Sequence, residues 1–381
     1  MHSHSRRSFL ARTLGAGFTS ASLLEQAFFR AAQARAAAPT APDGVFEIEK
    51  VADGVYGAIA RGDAVTNCNA AIFENANDLL VVDTHSKPSA VAALVAQLRR
   101  GVTDKPVRYV VETHFHWDHT QGAHEYRRMA PDAQVISSTA TRGLIAEFGA
   151  ARLRASLDSA PAAIDRYQQR LSAARDPEEK AYFERMIAET RAYMAEMQNY
   201  QPEMPNVTFS ENLILHDKAH ELHLAFRGRG HTAGDVVVFC PQARVIATGD
   251  LLHSWFPYLA DAYPREWPRT LHTVAGFDFA HVIGGHGGVQ HTRQRLDQFA
   301  GYIDELTELV DGGKRKGQTI EQIQGEVTPA SLKSLSSGYG QFTGEQVVHY
   351  SGPEGRNKAS DVIAGNVRNN IADIYRALDR G

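Results

Sequence analysis

The chain is 381 residues long, 43% apolar and 22% charged, with a formal net charge of −4 and two cysteines. That is enough apolar material for a large core, or a core with an appended segment, so a globular protein is expected. Past the first forty residues every hydrophobic stretch is interrupted by charge, glycine or proline before it reaches the roughly 20 residues that span a bilayer, which excludes stable membrane insertion of the body. Cys68 and Cys240 are too few for a cysteine-rich structural zinc site, and the sequence leaves open whether they pair or stay free.

In chain order, Met1 to Ala38 is rich in Ala, Ser and Arg and holds one acidic residue, Glu25. Ser5-Arg6-Arg7-Ser8-Phe9-Leu10 resembles the twin-arginine translocation signature, and a mildly apolar stretch from Thr13 to Leu24 and a small-x-small site at Ala34-Arg35-Ala36 follow it. Residues 1–36 are therefore read as a signal for the twin-arginine export machinery, placing the mature chain in the periplasm or outside the cell. Without them, 35 basic side chains face 43 acidic ones, a net of −8. With no Lys/Arg cluster near the candidate site, nucleic acid is excluded as a partner.

From Phe46 to Asp83 short strand-like runs alternate with turns, namely Phe46–Glu49, Val55–Ile59, Ala70–Phe73 and Leu79–Asp83, which predicts an antiparallel opening. Val91, Leu94, Val95 and Leu98 then show helical spacing over Ser89–Arg100, and Val107–Val111 is a buried strand. Thr139 to Met204 is dense in Ala, Arg, Glu, Gln and Met, which predicts two or three helices. Its charges, among them Arg175, Asp176, Glu178, Glu179 and Lys180, suit a solvated hairpin, and a lid or a self-association surface is the alternative. Strands resume at Val207–Phe209, Leu213–Leu215, Glu221–Phe226, Val236–Phe239 and Val245–Ala247. From about Gln290 the tail is predicted mainly helical, with an irregular stretch over Ser336–Gly355 and a last helix over Ala359–Leu378. The mature chain, residues 37–381, is read as one domain with a core over about 45–290, a helical insertion over about 139–204 and a helical extension over about 290–381.

The informative segment is Thr113-His114-Phe115-His116-Trp117-Asp118-His119-Thr120, directly after the strand Val107–Val111. Residues two apart on an extended chain point to the same side, so His114 and His116 suit one ion, while the following turn carries Asp118 and His119 toward a second. Three more segments each set one metal-competent side chain at a strand end beside glycine: Gly230-His231-Thr232-Ala233-Gly234-Asp235, Ala247-Thr248-Gly249-Asp250 and Gly284-Gly285-His286-Gly287. Glycine there lets the backbone turn sharply and approach closely.

In order from Asp83 through His286, these motifs resemble the metallo-β-lactamase superfamily, over roughly residues 45–290. The resemblance implies an α/β fold (α+β), a four-layer αβ/βα sandwich with helices outside two facing sheets. It implies two metal ions, zinc first, with iron or manganese as alternatives: His114, His116 and His231 on one, Asp118, His119 and His286 on the other, and Asp250 bridging. Asp83 would steady the ligand loop. A hydroxide held between the ions would be the nucleophile, oriented by Asp118 as the catalytic carboxylate, and the activity would be hydrolysis of an ester, thioester, lactone or related bond of a small molecule.

Asp250 separates this set from most β-lactamases of the fold, which leaves a class B-like β-lactamase as the alternative to the glyoxalase II or lactonase type. The tyrosine that lactonase-type relatives carry three residues later is replaced by His253. A one-iron persulfide-dioxygenase-like oxidoreductase and a non-catalytic metal-binding protein are further alternatives. His253, Trp255, Phe256 and Tyr258 are expected to wall the substrate pocket, and His216, His220, His223, His281 and His291 to be surface or packing residues.

Overall fold

The computed structural model describes residues 44–61, 67–350 and 358–379. The arginine pair and its apolar stretch lie outside them.

The first sheet has seven strands in the order β1 (Phe46–Ala52), β2 (Val55–Ala60), β3 (Ala70–Glu74), β4 (Leu79–Val82), β5 (Val107–Val111), β6 (Gln134–Ser138) and β7 (Val207–Phe209). The first four are antiparallel, as the short turn-separated runs predict, and β4 to β7 are parallel. Parallel neighbours need crossovers. Helix α1 (Pro88–Gly101) makes the first, α2 (Trp117–Thr120) and α3 (Ala123–Met129) the second, and the hairpin of α4 (Thr139–Ala173) and α5 (Pro177–Met197) the third. The second sheet runs β12 (His281–Gly284), β11 (Val245–Gly249), β10 (Val236–Cys240), β9 (Glu221–Phe226), β8 (Asn212–His216), with β11 and β12 parallel across α6 (Trp267–Val274).

The sheets pack face to face. Val55, Phe73, Leu80 and Val111 of the first meet Leu224, Val236, Val238 and Ile283 of the second in one buried cluster. The outer face of the first sheet is covered by α1 and α3, through Val91, Leu94, Leu98 and Tyr126. That of the second is covered by α6, α7 (Gln294–Arg315), α8 (Ile320–Glu326), α9 (Gly338–Tyr350) and α10 (Ala359–Ala377). Helix, sheet, sheet and helix are the four layers. Val236–Cys240 is buried at every position, as a strand covered on both faces must be.

One expectation changes. The stretch expected to be irregular over Ser336–Gly355 contains α9, because Tyr339, Val347 and Val348 are buried against the neighbouring helices. That burial outweighs the low helix propensity of Gly338, Gly340 and Gly344. The helix-rich stretch 139–204 resolves into two helices, broken at Ala174, where Asp176 caps α5 by accepting from the amides of Glu178 and Glu179. Cys68 and Cys240 are both free and buried, and burial pushes the Cys68 thiol up to about 12. Among the described residues no helix is long and apolar enough to cross a membrane.

Leu224 is fully buried between the sheets. Leu224→Ala is expected to lower the unfolding free energy by about 2–5 kcal/mol, read as a lower urea midpoint at unchanged slope.

Candidate metal centre

Parallel pairing in each sheet sends β4, β5, β11 and β12 to one shared edge, and the ligand segments leave from it. Asp83 follows β4, His114 to His119 follow β5, Asp250 follows β11 and His286 follows β12, while His231 lies in the turn before β10. A backbone bond from Val236 N to Thr113 O, 2.8 Å, joins the two sheets there, and one from Gly285 N to Gly249 O, also 2.8 Å, ties the turn after β12 to the end of β11.

All seven side chains expected at the centre meet. His114, His116 and His231 form one group, Asp118, His119 and His286 another, and Asp250 joins His114 and His119 in a third. In the first group His116 Nδ1 lies 3.1 Å from His114 Nε2 and 2.9 Å from His231 Nε2. Asp250 reaches both sides, with Oδ2 at 3.6 Å from His231 Nε2 and 3.3 Å from His286 Nε2, and Oδ1 at 3.5 Å from His119 Nε2. Asp118 Oδ2 lies 3.4 Å from His286 Nε2 and 3.6 Å from His119 Nε2.

The outer nitrogens settle where the protons are. His116 Nε2 donates to Asp261 Oδ2 at 2.8 Å, His231 Nδ1 to the Tyr258 carbonyl at 3.1 Å, and His119 Nδ1 to Asp83 Oδ2 at 2.8 Å. His114 Nδ1 donates to Thr113 Oγ1 at 3.0 Å, because that hydroxyl gives its own proton to Asp83 Oδ2 at 3.0 Å. With those protons held outside, His114, His116 and His231 each turn a lone pair inward, as His119 does in its neutral form. Three such lone pairs converge in the first group, and His119 Nε2 and Asp250 Oδ1 are buried with no hydrogen-bond partner. Buried polar atoms left this way are costly unless something absent from the protein atoms satisfies them. A cation does so, and imidazole and carboxylate are donors that suit zinc.

The electrostatics divide the centre. Burial, reinforced by neighbouring imidazoles, holds His114 and His231 well below the ordinary histidine value. Burial also acts to lower His119 and His286, but the nearby acidic groups outweigh it, Asp83, Asp118 and Asp250 among them for His119 and Asp250 and Asp118 for His286. His119 stands well above its ordinary value and His286 rises to about 10. The Asp118 and Asp250 side is thus strongly cation-seeking.

Several supporting residues were not singled out by the sequence. Asp235 accepts from the Thr232 amide at 3.0 and 2.9 Å through its two oxygens and from the Thr232 hydroxyl at 2.5 Å, which shapes the turn carrying His231. Asp235 ends the glycine-rich motif Gly230–Asp235, which was its signal in the sequence. Asn69 donates to the carbonyls of Gly284 at 2.9 Å and Gly287 at 2.8 Å, bracketing His286. Asp261 and Arg152 carried no spacing signal.

The expected pocket wall divides. Tyr258 is 48% exposed with its ring 5.5 Å from that of His116, an exposed side chain beside the centre. Phe256 is 3% exposed against Tyr302 of α7, and Trp255 packs on the same helical core. His253 is 2% exposed behind His286, accepting from the Trp255 amide at 2.9 Å. His253 and Phe256 are thus withdrawn into the interior and Trp255 is half-buried against the helical core, because the chain after Asp250 runs against the helices. Of the histidines expected to lie outside the centre, His220 is buried on Asn75 and His291 pairs with Glu49.

The family model described as the metallo-beta-lactamase superfamily matches residues 63–301. The chain belongs to that superfamily. Its members are generally metal-dependent hydrolases. A relative described as "Metallo-beta-lactamase type 2" from Elizabethkingia meningoseptica is 26% identical over 104 residues, 24% of this chain. The chain spans 42% of that relative's length. A solved metallo-beta-lactamase from Pontibacter korlensis is 18% identical at a TM-score of 0.48, covering 67% of this chain and 98% of that one.

A side chain at Gly285 would overlap Asp250 Oδ1 and come within 2.8 Å of His119 Cε1. Gly285→Ala is expected to leave far-ultraviolet circular dichroism unchanged and to lower the metal retained after gel filtration, measured by elemental analysis.

Proposed function

We propose that the protein is an exported zinc-dependent hydrolase that cleaves an ester, thioester or lactone bond of a small molecule. The observation that carries the metal part is the inward set of lone pairs, each backed by an outward N–H bound to a fixed acceptor. Two zinc ions held by the two groups and joined through Asp250 would supply Lewis acidity and lower the pKa of water toward neutrality.

The chain's own residues supply the rest. Asp118 is the least buried of the carboxylates of the centre, its side chain 14% exposed against 7% for Asp250 and 3% for Asp83. It is therefore the one placed to accept a proton from an incoming water and hold it in line with a carbonyl carbon. Tyr258, exposed beside His116, would offer an aromatic face to the substrate. His253 stays neutral, pushed down to about 4 by burial, and supports His286 from behind. Hydrolysis of esters and lactones rather than β-lactams is favoured by Asp250 in the joining position. Export rests on the Ser5–Leu10 pattern, the apolar stretch Thr13–Leu24 after it and the small-x-small site at Ala34-Arg35-Ala36.

The test is metal content per chain by elemental analysis and a neutral-pH panel of esters, thioesters, lactones and β-lactams. Two zinc equivalents with ester or lactone turnover support the proposal. Preferential β-lactam turnover overturns the substrate class, and one iron or no hydrolysis overturns the reaction. Asp118→Ala is expected to cut kcat by about 10²–10⁴-fold while zinc stays on the His114, His116, His231 group. Tyr258→Ala is expected to raise KM with kcat and metal content unchanged.

A further inference from the structure

His116 is the ligand of the first group whose outer nitrogen is held by a carboxylate, and that carboxylate is held in turn by the helical hairpin. Asp261 accepts from His116 Nε2 through Oδ2 at 2.8 Å and from Arg152 Nη2 through Oδ1 at 2.8 Å. Arg152 belongs to α4, and its guanidinium carbon stands 4.7 Å from the centroid of the Phe115 ring, beside His116 in the chain. The hairpin is seated on the same loop: Leu153, Tyr193 and Met197 are buried together against Trp117, and Tyr193 Oη donates to Gln121 at 3.1 Å. A separate anchor lies on α1, where Glu196 accepts from the Ser89 amide at 2.6 Å and hydroxyl at 2.7 Å.

We propose that the hairpin is a working part of the metal centre, with Arg152 and Asp261 as positioning residues that fix His116 in the Nε2–H tautomer. A free imidazole chooses between two tautomers. With its proton on Nδ1, His116 would direct it at the lone pairs of His114 and His231 and offer nothing to a cation. A carboxylate on Nε2 selects the other form and makes the ring more basic. Arg152 occupies one Asp261 oxygen and so leaves the other aimed at His116. This rests on the reading of His116 as a zinc ligand.

The experiment compares the native chain with Asp261→Asn, Arg152→Met and Glu196→Ala, the last removing only the anchor on Ser89. In zinc competition against a chromophoric chelator, Asp261→Asn is expected to bind about 10–100-fold more weakly, Arg152→Met less severely, and Glu196→Ala as the native chain does. On the metal-free proteins, ¹⁵N imidazole resonances are expected to report His116 as Nε2–H in the native chain and as a tautomer mixture in Asp261→Asn and Arg152→Met. An unchanged His116 tautomer in both variants overturns the proposal, as does equal loosening of zinc by Glu196→Ala, which would trace the effect to hairpin docking in general. Should Asp261→Asn fail to fold, Arg152→Met decides alone. A native chain that takes up no zinc would refute the metal reading, while the tautomer measurement would still decide the relay.

Discussion

A neutral imidazole has one proton and two nitrogens, so a ring of histidines faces inward with lone pairs only if something outside holds each proton. Every other feature of the centre serves that constraint. Asp83 does the largest share, accepting from the Thr113 amide at 2.9 Å, the Thr113 hydroxyl at 3.0 Å and His119 Nδ1 at 2.8 Å. One buried carboxylate thereby sets two tautomers, that of His119 directly and that of His114 through the hydroxyl. Asp83 adopts a left-handed backbone, φ 68°, a conformation that aspartate tolerates better than most residues and that swings its carboxylate off the strand toward the next loop. Hydrogen bonds to a charged group contribute about 1.5–3 kcal/mol each, enough to hold the loop against its own strain.

The sheets act as a frame for these outer bonds. Ligands come from both sheets, so a slip of one against the other would part the four after β5 from His231, Asp250 and His286. The shared apolar layer resists slip by close packing, and at the ligand edge the polar seam takes over. Asn69, after the strand β2, accepts from the Ala60 amide at 2.9 Å and donates to the carbonyls either side of the His286 turn. Gly249, φ 50°, lies so close to Thr113 that any side chain would overlap its hydroxyl. Gly249, and Gly234 where a side chain would meet Ser138 and Thr141, are therefore where a loop of the second sheet passes against one of the first.

The strands from β1 to β5 and from β7 to β11 were legible because their apolar alternation or continuity is strong and turn residues bracket them. The ligands were legible because chemistry concentrates them: His114, His116, Asp118 and His119 fall within six positions, and the others stand at strand ends beside glycine. What stayed hidden has no local signature. Gln134–Ser138, with its polar ends, becomes β6 only through its parallel neighbours. Gly338–Tyr350 is helical because of what it packs against. Trp255 and Phe256 read as a wall from proximity to Asp250 in sequence, yet the backbone passes beneath the helical layer within five residues. Asp261 lies 145 positions from the histidine it holds, and no spacing rule spans that.

The hairpin's place follows from topology. Strands β5, β6 and β7 are parallel, so each crossover begins at the edge where β5 delivers its histidines. An insertion between β6 and β7 therefore starts beside the centre, and its first turn is pinned there: the hydroxyls of Ser138 and Thr141 donate to the Gly234 carbonyl at 2.7 and 2.8 Å, on the turn that carries His231. From that fixed start a helix rising about 1.5 Å per residue brings Arg152 past Phe115 and onto Asp261. The charged composition of the hairpin describes its outer faces correctly. A helix has an inner face as well, and there Leu153 packs beside the Trp117 region while the neighbouring Arg152 reaches the carboxylate behind His116. The same segment is thus solvated over most of its surface and engaged with the centre along one stripe.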